Sequence, residues 1–147
     1  MRRIFLFLVA LLLFLPGCGS VSKTPRLQDY AWSLSSVQSV AQNGQVIACQ
    51  PGEGAFWGNA DAKEIEWECI VSKDTLVFVD KATGKRVTGE VRQMEATPES
   101  NVYEGKIGEQ TGIAVVAMTT YADQSQRPTF ILKLEEYILN FYAIGKG

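Results

Sequence analysis

From Tyr30 onward the chain alternates apolar and polar residues in short runs, each ending at residues that favour a turn. In the first run, Tyr30 to Val40, Tyr30, Trp32 and Leu34 share one face and Ser33 and Ser35 the other. Successive side chains of a strand point to opposite faces, so a period of two marks a strand with one face in a core. Asn43-Gly44 follows, a pair that tolerates the positive φ required at both central positions of a tight hairpin turn. Val46 to Cys49 is then expected to return beside the first strand. The clearest run sets Ile65, Trp67, Cys69 and Val71 against Glu64, Glu66, Glu68 and Ile70, an apolar face backed mostly by carboxylates. Lys73-Asp74 turns the chain into Thr75 to Asp80, and Ala82 to Lys85 turns it into Arg86 to Met94. Turns at Thr97 to Asn101, Gly108 to Gly112 and Asp123 to Pro128 precede Val102 to Ile107, Ile113 to Ala122 and Thr129 to Ala143.

The last run presents Phe130, Leu132 and Leu134, is interrupted by Glu135 and Glu136, and resumes with Tyr137, Leu139 and Phe141. Its stretch from Ile131 to Tyr142 lacks Gly and Pro and is long enough for a helix, but its density of Ile, Phe and Tyr favours strand. Strands joined by short loops pair antiparallel in order, and a meander removes its unpaired edges most simply by closing. The expected fold is all-β, an antiparallel up-and-down meander of about eight strands closed as a barrel. Seven bulky residues are expected to face inward: Trp32, Trp67, Phe78, Tyr103, Tyr121, Phe130 and Phe141.

Ahead of this domain the pattern changes. Arg2 and Arg3 precede an unbroken apolar run from Ile4 to Leu15, which ends at Pro16, Gly17 and Cys18. These are the charged, apolar and small-residue regions of a secretory leader. The run is shorter than the roughly 20 residues that a membrane-spanning helix requires. Leu15-Pro16-Gly17-Cys18 resembles the lipobox of bacterial lipoproteins. The resemblance implies cleavage before Cys18, acylation of its thiol and anchoring on the extracytoplasmic face of the cell membrane, with chains such as palmitate holding the protein in the bilayer. Gly19 to Leu27 is small, polar and contains Pro25. The domain organisation expected is therefore a leader over residues 1–17, a lipidated tether over 18–28 and a β-barrel over 29–147.

The 14 basic residues lose Arg2 and Arg3 with the leader, leaving 12 against 16 acidic residues. A mildly acidic domain speaks against nucleic acid as a partner, because phosphates are neutralised by Lys and Arg. It also speaks against a polybasic grip on anionic lipid. Histidine is absent, which removes the commonest general base, the Ser-His-Asp and Cys-His arrangements and every His metal site. Thr83-Gly84-Lys85-Arg86 lacks the upstream glycine and the following hydroxyl of a phosphate loop and reads as a hairpin turn. Glu64, Glu66 and Glu68, like Glu135 and Glu136, read as solvated strand edges rather than paired catalytic carboxylates. Neither an enzyme nor a cofactor or metal site is expected. Cys49 and Cys69 are either a disulfide, natural in an exported chain, or two separate buried thiols.

Candidate binding chemistry is aromatic. Pro51 to Asn59 places Phe56 and Trp57 among three glycines, and rings of that size are costly to leave in water. They are read as a lid over a barrel end, or as a ligand gate or docking patch. Trp32, Trp67 and Tyr121 are read as core, with cavity lining as the alternative. Ala31-Trp32-Ser33-Leu34, opening a lipid-anchored β-meander, resembles the calycin and lipocalin-like lipoproteins of bacteria. That resemblance implies that Trp32 plugs one end of the barrel and that the interior receives a small apolar ligand or peptide. The competing expectation is a filled barrel that contacts another envelope protein or inhibits an enzyme. An eight-stranded barrel is just wide enough for its own side chains to fill or for one small ligand.

Overall fold

The computed structural model describes residues 23–49 and 66–146. Among the described residues a 3-10 turn, Leu27–Asp29, leads into nine strands: β1 (Tyr30–Ser39), β2 (Gln45–Cys49), β3 (Trp67–Ser72), β4 (Thr75–Asp80), β5 (Arg86–Ala96), β6 (Ser100–Ile107), β7 (Gln110–Thr120), β8 (Gln126–Lys133) and β9 (Tyr137–Lys146). Every pairing is antiparallel and sequential from β3 to β9, and β9 returns to β1 along its whole length, from Tyr30 opposite Lys146 to Ser39 opposite Tyr137. The sheet therefore closes into an eight-stranded barrel of β1 and β3 to β9. No helix spans Ile131 to Tyr142. Glu135 and Glu136 are instead the bend at which the expected last strand divides into β8 and β9.

β2 does not add a ninth stave. It pairs with the second half of β1, Ser36 opposite Cys49 and Ser39 opposite Gln45, while β3 takes the first half, Trp32 opposite Cys69 and Ser33 opposite Glu68. The two strands thus lie in line along one side of β1. The hairpin joining β1 to β2 turns at Asn43 and Gly44, with φ of 53° and 81°, the doubly left-handed geometry expected of Asn-Gly. Gln45 N–H donates to Gln42 O across it at 3.1 Å. A register shift on the β9 side of β1, between Leu34 and Ser36, changes the parity of β1. Trp32 and Leu34 are buried before it, and Val37 and Ser39 after it.

Alternation puts one residue in two inside. Trp32, Leu34, Val37, Cys69, Leu76, Phe78, Ala114, Val116, Phe130, Leu132 and Leu139 have no exposed surface. At roughly 25 cal/mol per Å² of apolar area removed from water, this one cluster is the main source of stability. The buried Asp80 is satisfied within its own turn. The Asp80 carboxylate accepts from Ala82 N–H at 3.0 Å and from the Thr83 hydroxyl, and Gly84 N–H closes on Asp80 O at 2.7 Å. Thr83 to Lys85 thus belongs to the turn between β4 and β5, and Arg86 opens β5.

The tether expected over residues 18–28 ends earlier than its composition suggests. Thr24 Oγ1 donates to Pro98 O at 2.7 Å, Asn101 Nδ2 donates to Pro25 O at 2.8 Å, and Leu27 is wholly buried. Residues 24–28 are part of the domain because the barrel end needs an apolar stopper, and Leu27 supplies it.

Candidate functional site

With eight staves the start of β1 and the end of β9 meet at one rim. That rim carries the start of β1, the end of β9 and the turns Lys73-Asp74, Thr97 to Glu99 and Tyr121 to Ser125. It is closed by the 3-10 turn. The Trp32 indole N–H donates to Leu27 O at 2.9 Å, and Leu27 N–H donates to the Tyr103 hydroxyl at 3.3 Å. Both polar groups of one buried residue are thereby satisfied by aromatic side chains from β1 and β6, and Trp32 itself is wholly buried. Burial, only partly offset by the Leu27 hydrogen bond, raises the Tyr103 phenol above its ordinary value. Outside this stopper Arg26 and Asp29 pair at 2.8 Å, and the Arg26 hydrogen bond holds the Asp29 carboxyl below its usual range.

Behind the stopper the lumen is crossed by rings. Trp32 meets Phe130 edge-on with centroids 5.6 Å apart, Phe130 stacks on Phe141 at 4.7 Å, and Phe141 reaches Phe78 at 6.0 Å. Phe78 stands on β4 and Phe130 on β8, four staves apart in a ring of eight, so the ring series runs from one wall to the opposite one. Such edge-to-face and stacked contacts add to the area these rings bury. Six of the seven bulky residues expected inside are there: Trp32, Trp67, Phe78, Tyr103, Phe130 and Phe141.

Tyr121 is the exception. It follows β7 and is 38% exposed on the outer wall, where the Arg127 guanidinium lies 5.2 Å over its ring and Asp123 pairs with Arg127 at 3.7 Å. Having reached the turn, the chain no longer obeys the strand period, and an aromatic there has no fixed inward side. Tyr121 helps to line a shallow groove of about 670 Å³ with Thr119, Thr129, Ile131, Asn140 and Tyr142. Five of the eight large hydrophobic residues exposed among those described, Ile113, Tyr121, Ile131, Tyr142 and Ile144, fall on this one wall of β7, β8 and β9. The sequence reading missed the wall. Its signal was the unbroken apolar triplet Phe130-Ile131-Leu132, in which the middle residue must point outward.

The cysteine pair is not bridged. Cys69 has a free, buried thiol that desolvation pushes well above its ordinary pKa. Cys49 and Cys69 stand opposite Ser36 and Trp32, four positions apart on β1 and so about 13 Å along the strand. A disulfide needs Cα atoms no more than about 7 Å apart. Trp67 is in the core, whereas Cys18, Phe56 and Trp57 lie outside the described residues. Among the described residues no three His, Cys, Asp or Glu side chains gather as a metal site. Comparison with protein families, curated proteins and solved structures finds no match for this chain.

Proposed function

We propose that this chain is an extracytoplasmic lipoprotein, anchored through Cys18, whose filled barrel acts through its outer surface by contacting another envelope protein. The observation that carries this reading is the ring series from Trp32 through Phe130 and Phe141 to Phe78, which occupies the lumen a carried ligand would need. A barrel of eight strands leaves space for either its own side chains or one small molecule. The leader, with Arg2, Arg3 and the apolar run to Leu15, supports the export, and Leu15 to Cys18 supports the anchor.

Native mass spectrometry of the full chain, released in detergent from the membrane of its source cell, tests the reading. The expected mass is that of a polypeptide beginning at Cys18 with its covalent lipid and no further small molecule. An apolar compound that stays bound until the barrel unfolds would overturn the filled-barrel reading in favour of a carrier. A mass without covalent lipid would overturn the anchor.

A further inference from the structure

The exposed wall of β7, β8 and β9 ends at the rim where the chain enters the domain. Tyr142 and Ile144 occupy outward positions of β9, and Tyr121 stands at the turn beyond β7. Rim cations accompany them: Arg127 over Tyr121, Lys146 at the end of β9, and Lys23 beside Lys146 and Tyr30. With Arg26 and Lys73 these make five cations against Asp29, Asp74, Glu99 and Asp123 round the rim, in a mature chain that is acidic as a whole. Tyr beside Lys and Arg, with neighbouring apolar side chains, is the composition of protein surfaces that sit at a bilayer's headgroups.

The short tether identifies what covers this wall. Thr24 is fixed to the turn between β5 and β6 through Thr97 O and Pro98 O. Only five residues lie between it and Cys18, six steps with a reach of at most about 22 Å even at full extension. An acylated Cys18 therefore keeps this rim at the membrane, and the next turn round the rim on the same end is the one bearing Tyr121.

We propose that the outer wall of β7 to β9 rests on the lipid surface to which the chain is tethered, with Tyr121, Tyr142 and Ile144 seated among the headgroups. This rests on the lipid-anchor reading. The seat is made by aromatic and aliphatic side chains with a few long cations beside them, so added salt leaves it in place. The opposite wall, β3 to β5 with Glu90 at the middle of its last strand, faces away and is free for a protein partner.

The full lipidated chain is reconstituted in vesicles of phosphatidylethanolamine and phosphatidylglycerol, with p-benzoylphenylalanine in place of Tyr121, Tyr142 or Glu90, and irradiated. The expected result is phospholipid adducts at 121 and 142, unchanged by high salt, and only background at 90. Equal yields at 90 and 142 would overturn the proposal, as would a crosslink from 142 to a second copy of the chain. Intact mass separates the two readings: a lipidated chain without adducts at 121 and 142 sinks the docking alone, and an unlipidated chain sinks the anchor and the docking together.

Discussion

Leu27 shows how much one buried residue can ask of its neighbours. Its N–H and C=O lie inside the barrel end, and each has one aromatic partner, Tyr103 and Trp32. Trp32→Phe keeps a ring in place but strands the Leu27 carbonyl, and an unsatisfied buried acceptor costs about 1–3 kcal/mol. Trp32→Ala also opens a cavity, for a total of about 3–5 kcal/mol. Urea unfolding should rank the three proteins wild type, Trp32→Phe, Trp32→Ala, with equal denaturant slopes. Tyr103 answers to pH instead. Its folded phenol titrates higher than the same phenol in the unfolded chain, whose ordinary value is about 10. The protonated form is therefore the one that folding favours. Its stability contribution is complete below about pH 10 and disappears as pH rises through the folded value. Tyr103→Phe should lower stability at neutral pH, because Leu27 N–H loses its acceptor, and should flatten the alkaline decline. Urea midpoints taken from neutrality into the alkaline range measure both effects.

At the scale of elements, three strand glycines separate close approach from mere absence of a side chain. A Cβ on Gly112 would stand 2.0 Å from Lys133 O and 2.8 Å from its carbonyl carbon, backbone atoms that cannot move without breaking the pairing of β7 with β8. On Gly105 it would meet Leu132 Cδ1 at 3.1 Å, the tip of a side chain that can turn, and on Gly145 nothing within 4 Å. Gly112→Ala should therefore cost about 3 kcal/mol, at the upper end of ordinary overpacking, and Gly105→Ala about 1 kcal/mol. Gly145→Ala should fall within about 0.5 kcal/mol of wild type. Thermal or urea melts that gave all three the same stability would refute this account of why these glycines are there. The run of elements itself was legible because period two, Asn-Gly and the other turns are local signals, and the structure places strands where each run lies. The partition of the barrel was less so. Whether β2 and β3 are two staves or two lengths lying along one side of β1 depends on register with β1, which no local pattern records. The inward positions were readable wherever alternation held, as in Trp67, Cys69 and Val71, and failed at Tyr121, where the strand had ended. The outer wall was hidden for a related reason. A hydrophobic residue in a strand is assigned to the core by default, so Ile131 and Tyr142 draw no attention until the inward positions of their strands are known.

The whole molecule depends on a pairing between its two ends. β1 and β9 are separated by roughly a hundred residues, yet nine positions of β1 find partners in β9, and only that seam turns a twisted sheet into a barrel. Contacts so distant in sequence are entropically expensive to form before the intervening strands are in place. The seam is repaid because it covers Phe130 and Phe141 and completes the ring series across the lumen. A chain ended after Leu134 keeps β1 to β8 but leaves β1 and β8 with open edges and one side of the core in water. It should show no cooperative unfolding transition and should expose apolar surface to a hydrophobic dye. A chain beginning at Lys23 retains Leu27, its two aromatic partners and the full seam, and should unfold at the same urea concentration as the protein beginning at Cys18. Cooperative unfolding of the shortened C-terminal variant would mean that the open sheet is stable by itself. A large loss in the N-terminal variant would mean that residues before Lys23 help to hold the barrel, and the stopper would then have to be extended toward the anchor.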